Sequence, residues 1–162
     1  MLQLIRTTLL VLLLAGLPVG VSMAQTPATA GKDSLTEAAI AAGHRVMEEF
    51  MTAFNARDVE AWSQTLLFPH VRVASGDVTV SADRDAFVAA MDFTMFAERF
   101  DWSHSSWDHI EVIQAGPEKV HFKVQFSRYN RAGERNATFD SLYVVQKVDN
   151  EWGIRLRSSF AP

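Results

Sequence analysis

The chain has 162 residues, 48% of them hydrophobic, with 15 Lys and Arg against 19 Asp and Glu and no cysteine. A formal net charge of −4 argues against nucleic acid as a partner, because that binding rests on a basic surface. The missing cysteine excludes disulfides, thiol chemistry and a lipid-modified cysteine, so the fold must be held by its core alone.

The chain opens MLQLIRTTLLVLLLAGLPVGVSMAQ, with Arg6 ahead of an apolar run over residues 9–14 that small residues and Pro18 extend. That pattern reads as a secretory signal peptide over residues 1–24, cut after Ala24. The run is too short, and too broken by Gly16, Pro18 and Gly20, for the roughly 20 residues of a spanning helix. The expectation is a periplasmic or secreted protein without a stable membrane anchor. Loss of Arg6 leaves fourteen basic against nineteen acidic side chains on a mature chain close to 138 residues, the size of one domain. Residues 25–33, QTPATAGKD, are small and polar and read as a flexible leader, so the folded domain is expected over residues 34–162.

Ser34-Leu35-Thr36-Glu37 has the form of a capping box and predicts a helix start. Leu35, Ala39, Ala42, Val46, Phe50 and Ala53 then recur at three- and four-residue steps along one helical face. Asp58 caps a second, shorter helix with Val59, Trp62 and Leu66 inward, ending before Pro69. Alternation around Ser75-Gly76 predicts a short hairpin, and Ser81 or Asp83 caps a third helix with Phe87, Ala90, Met91 and Met95 inward, running out near Arg99.

Beyond Trp102 the apolar period changes from 3.6 to 2. In KVHFKVQFSRYN, Val120, Phe122, Val124 and Phe126 share one face and His121, Lys123, Gln125 and Ser127 the other. Turns at Ala115-Gly116-Pro117-Glu118, Asn130-Arg131-Ala132-Gly133-Glu134 and Asp149-Asn150-Glu151 separate four long strands in a meander. Helices on one face of a curved antiparallel sheet make an α+β fold, and such a sheet wrapped around about three N-terminal helices leaves a conical cavity.

With its element order, the run EEFMTAFNARDVEAW, the junction FPHVRVASG and the closing strands LYVVQKVDNEWGIRLRSSF, the chain resembles the nuclear transport factor 2-like superfamily over about residues 34–160. That superfamily includes ketosteroid isomerase and the SnoaL-like polyketide cyclases. The resemblance implies a cone-shaped (cystatin-like) fold, a homodimer formed through the sheet, and a pocket for a small apolar or amphipathic molecule, with or without isomerase-, cyclase- or dehydratase-type proton transfer. The isomerase pattern places an aspartate base where His70 or its neighbour stands here, and Asp140 is the residue comparable to the acidic base of cyclase-like relatives.

His70 and Asp140 are therefore the catalytic candidates. His70 suits proton transfer near neutrality, or else caps the helix end or braces the strand. Asp140 falls on the face of Leu142 and Val144, and Arg128, Arg155 or Arg157 can pair with it. Arg155 and Arg157 share a face, two residues apart, and suit an anionic group, solvent or a dimer partner. Trp62, Trp102, Tyr129, Arg128 and Arg157 complete the substrate-binding candidates, with core packing as the alternative for the aromatics. His104, Asp108 and His109 are close in sequence, but a strand throws Asp108 and His109 to opposite faces, so no metal site is expected, and no motif calls for a cofactor. The rival to a ligand pocket is a non-catalytic module that docks a partner or a second copy on the face of His121, Lys123 and Gln125 beside Arg155 and Arg157.

Overall fold

In a computed structural model, which describes residues 27–162, the first helix α1 spans Pro27–Ala56. The expected start at Ser34 is thus overrun: the Ser34 hydroxyl donates to the Gly31 carbonyl and Thr36 to that of Lys32, so both act inside the helix. Residues 27–33, most of the 25–33 stretch read from composition as a leader, are helical. The signal sequence and its cut lie outside the described residues.

Helix α2 (Val59–Gln64) is capped by Asp58, which accepts from the Ala61 N–H. The single third helix expected from periodicity is two. α3 (Arg84–Ala90) is capped by Asp83 and α4 (Phe93–Phe100) by Asp92, whose carboxylate accepts from Thr94 and Met95 N–H. Met91 between them is extended, so Met95 turns outward to solvent instead of inward. A second good cap in mid-pattern restarts the helix at a new angle.

Six strands follow and interleave: β1 (Leu66–Ala74), β2 (Asp77–Ser81), β3 (His104–Gly116), β4 (Lys119–Tyr129), β5 (Arg135–Val148) and β6 (Glu151–Ser159). They form one sheet in the order β2-β1-β6-β5-β4-β3. The β3–β6 meander is antiparallel as expected, but β1 lies parallel to β6, so the sheet is mixed. Positive φ at both Asp149 and Asn150 makes the two-residue β5–β6 turn, matching the twist of its strands. Shifts of register in β1, β3, β5 and β6 curl the sheet into a cone.

Helix α1 lies in that curl. Val46, Met47 and Phe50 pack on Val120, Phe122, Val145 and Ile154, all of them buried. The approach is close at Gly43, where a Cβ would sit 2.8 Å from the Phe122 ring. The last turn of α1 is tied to the start of β3 by Asn55, whose amide donates to the Ser105 carbonyl and accepts from its N–H, both at 2.8 Å. The fold is an α+β cone of curved sheet around N-terminal helices.

Candidate functional site

A cavity of about 530 Å³ remains between the concave sheet face and the helices. Its floor is aromatic: Phe50 and Phe54 from α1, Trp62 from α2, Phe87 from α3 and Tyr143 from β5. Its rim holds exposed residues of the β1–β2 turn, Arg99 of α4, and Ala161-Pro162.

Strand register explains the polar wall. Thr79, Arg72, Arg157, Tyr143 and Phe122 are successive partners across β2, β1, β6, β5 and β4, so they form one row on the concave face. Two guanidinium-bearing residues thereby stand next to each other, and a phenol stands third. Arg72 donates to the Pro162 oxygen at 2.7 Å. Arg157 lies 5.3 Å over Phe50 and 5.2 Å over Trp62. Arg128 enters from β4 and is only 6% exposed, with Phe96, Phe100 and Phe139 each about 5 Å from its guanidinium carbon.

Charge in this cavity is one-sided. Arg72, Arg99, Arg128 and Arg157 line it, and the one acidic lining residue among the described residues is Asp77 at the rim. The ion pairs found among the described residues, His109–Glu111, Lys123–Glu111 and Arg135–Asp108, involve none of these arginines. Burial and the neighbouring Arg72 and Arg157 push Arg128 down to about 10, which leaves it charged at neutral pH. Burial raises the Tyr143 phenol, with the arginines opposing, so it stays a protonated donor.

Of the residues singled out from sequence, Trp62, Arg128 and Arg157 come together on the cavity wall. His70 does not reach it. It lies in β1 at 2% exposure, its Nδ1–H donating to the Ile154 carbonyl at 2.9 Å and its ring edge-on to Phe87. Burial, and then Arg157, hold its pKa down to about 3, so the ring is neutral. It braces β1 against β6, and its Nε2 is buried without a partner among the described residues.

Asp140 faces away from the cavity. Its parity with Leu142 holds, but that face of β5 is the convex one, where Asp140 is exposed and accepts from Gln125 at 3.1 Å. It therefore shares no pocket with His70, and none of the expected arginines pairs with it. Tyr129 also lies off the cavity, stacked on His104 and accepting from Arg135 at 3.1 Å. Trp102 is core, packed on Phe54 and Phe96 with its Nε1–H donating to the Ser105 hydroxyl.

Arg155 and Arg157 do not act as a pair. Val144 faces Leu156 and Val145 faces Ile154, so Arg155 is the extra residue of a bulge; it reaches back to the Phe68 carbonyl at 2.6 Å. The bulge puts Ile154 and Arg157 on the same inner side, against the strict alternation expected. The docking face of His121, Lys123 and Gln125 consequently lacks Arg157. Arg72, Asp77 and Arg99 are charged lining residues that sequence reasoning missed; the strand of Arg72 alternates too weakly to mark an inner face, and its neighbour Arg157 is 85 positions away in the chain.

Residues 42–159 match the family described as NTF2-like protein (DUF6841). The chain belongs to that family. Solved structures share the NTF2-like fold at low identity. A cystatin-like NTF2-like protein from Novosphingobium aromaticivorans is 10% identical, with 86% of this chain and 92% of that one covered and a TM-score of 0.67. A Catenulispora acidiphila structure in complex with S-DNPA is 15% identical, with 76% and 93% covered and a TM-score of 0.60. A ketosteroid isomerase-like protein from Erwinia carotovora atroseptica is 20% identical, with 75% and 96% covered and a TM-score of 0.53. No curated protein matches the chain.

Proposed function

We propose that this NTF2-like domain binds a small amphipathic molecule in its cone and that binding, rather than proton transfer, is its task. One observation carries the reading: the cavity joins an aromatic floor to a polar wall within a volume typical of sites for small ligands. The wall offers donors, and the one carboxylate lining the cavity among the described residues, Asp77, stands at the rim. His70 is neutral but sits behind the wall, and Asp140 is on the far side of the sheet. Proton abstraction needs a base within hydrogen-bond reach of the substrate.

Native mass spectrometry of the purified protein tests this reading. A co-purified molecule should appear as added mass and vanish in Ala74→Trp, which fills the cavity from β1. Added mass retained unchanged in that folded variant would place the ligand elsewhere.

Two further proposals concern context. The exposed Ile113 and Leu142 on the convex face favour pairing of two copies there, which charged substitutions at both positions should abolish in sedimentation measurements. Export with cleavage after Ala24 predicts a mature protein starting at Gln25, read by N-terminal sequencing.

A further inference from the structure

Both inner arginines of the cavity, Arg128 buried and Arg157 half-buried, are ringed by aromatic side chains. Phe50 and Trp62 lie against Arg157; Phe96, Phe100 and Phe139 surround Arg128. Such contacts satisfy the charge in part but offer no lone-pair acceptor to the five N–H donors of a guanidinium. Nε of Arg128 and Nε of Arg157 are both buried with no hydrogen-bond partner among the described residues. Neither guanidinium has a carboxylate partner there. Leaving buried charged donors unmade is costly, and placing like charges on adjacent strands adds to the cost. Tyr143, cross-strand partner of Arg157, takes one hydrogen bond from that guanidinium on its phenol oxygen and still offers its own O–H on the same wall. No lining acid but rim Asp77 opposes this, and Asp77 acts on Arg72 rather than on the inner pair.

Guanidinium donors left without an acceptor beside an aromatic floor specify a ligand with a planar anion at one end and a ring system at the other. We propose that the cavity takes a ring-bearing organic carboxylate, its head gripped by Arg157, Arg128 and the Tyr143 hydroxyl and its body laid on Phe54, Trp62 and Phe87. The proposal rests on the small-molecule reading above and adds the chemical class. A carboxylate matches the guanidinium fork in two parallel bonds, which a neutral amide of the same shape cannot do.

The test is calorimetric titration of the full chain with a panel of ring carboxylates, benzoate, 2-naphthoate and cholate, each paired with its neutral primary amide. At least one carboxylate should bind, with its amide about tenfold weaker or worse. Arg157→Gln should weaken that carboxylate on the order of 10- to 100-fold and leave the amide unchanged. Arg72→Gln, at the more exposed rim and less demanding of the fold, should weaken it by about a few-fold. An amide that binds as tightly as its carboxylate, or carboxylate affinity unmoved in both folded variants, overturns the proposal while the small-molecule reading stands. A panel in which no carboxylate and no amide binds overturns both.

Discussion

The two ends of the cone use the same strands for opposite purposes. At the closed end β4, β5 and β6 contribute Val120, Phe122, Val145 and Ile154, which pack on Met47 and Val46 of α1. Toward the open end the same three strands contribute Arg128, Tyr143 and Arg157, around a space the chain leaves unfilled. Hydrocarbon at one end stabilises; confined charge at the other costs stability that only a partner can return. The contrast teaches that alternation along a strand shows which side chains point inward but not what inward means at each level of the cone.

The largest expected effect breaks the closed end. Phe122→Ala should lower stability by about 3–5 kcal/mol, because the ring is fully buried and wedged beside Gly43. Urea unfolding reads it, and a loss below about 1 kcal/mol would mean that the tip is not the stabilising half.

Next comes His70, which sits between the two ends. Its folded pKa of about 3 lies below its ordinary 6.5. Above 6.5 the ring is neutral in both states and stability is unaffected by it. As pH falls below 6.5 the unfolded chain takes up a proton that the folded chain refuses, so stability drops by up to about 1.4 kcal/mol per pH unit until the folded ring protonates. His70→Gln should flatten that slope relative to the natural chain in urea midpoints measured from pH 7 to pH 4. Equal slopes would show that the imidazole is not sealed behind the wall.

A smaller effect sharpens the comparison from the open end. Arg128→Met keeps most of the volume and removes a buried charge, so thermal unfolding without ligand should shift by no more than about 1 kcal/mol, in either direction. A loss as large as that of Phe122→Ala would make Arg128 a structural residue. Smallest of all, Asp140→Asn on the convex face should change stability by less than about 0.5 kcal/mol, and ligand affinity not at all.

Much of the frame was legible because it follows from period. The run from Val120 to Phe126 alternates without interruption, and its inward residues are the buried ones. Asp58 and Asp83 cap helices where a short polar acceptor precedes an apolar period. The misreadings have physical sources of their own. Ser34 and Glu37 have capping-box spacing, yet a serine hydroxyl can serve the preceding carbonyl within a helix just as well. The bulge at Arg155 adds one residue and reverses the inner face, and nothing in Ile154-Arg155-Leu156-Arg157 announces it.

At the site, Trp62, Arg128 and Arg157 were identifiable as side chains suited to a pocket. Their common wall with Arg72 was not, since it depends on β1 lying beside β6. Asp140 was assigned to the right parity and the wrong side, because Leu142 beside it resembles a core position while standing in solvent.

That parallel seam has a consequence for the chain's birth. His70 finds its carbonyl 84 residues downstream, and Arg72 its neighbour almost as far. During synthesis the β1–β2 ribbon must therefore wait, tethered to α2 but without a sheet to join, until β6 has left the ribosome. A product cut short before Ile154 would keep the meander up to β5 and leave that ribbon flapping, so the arginine wall is the last part of the molecule to exist.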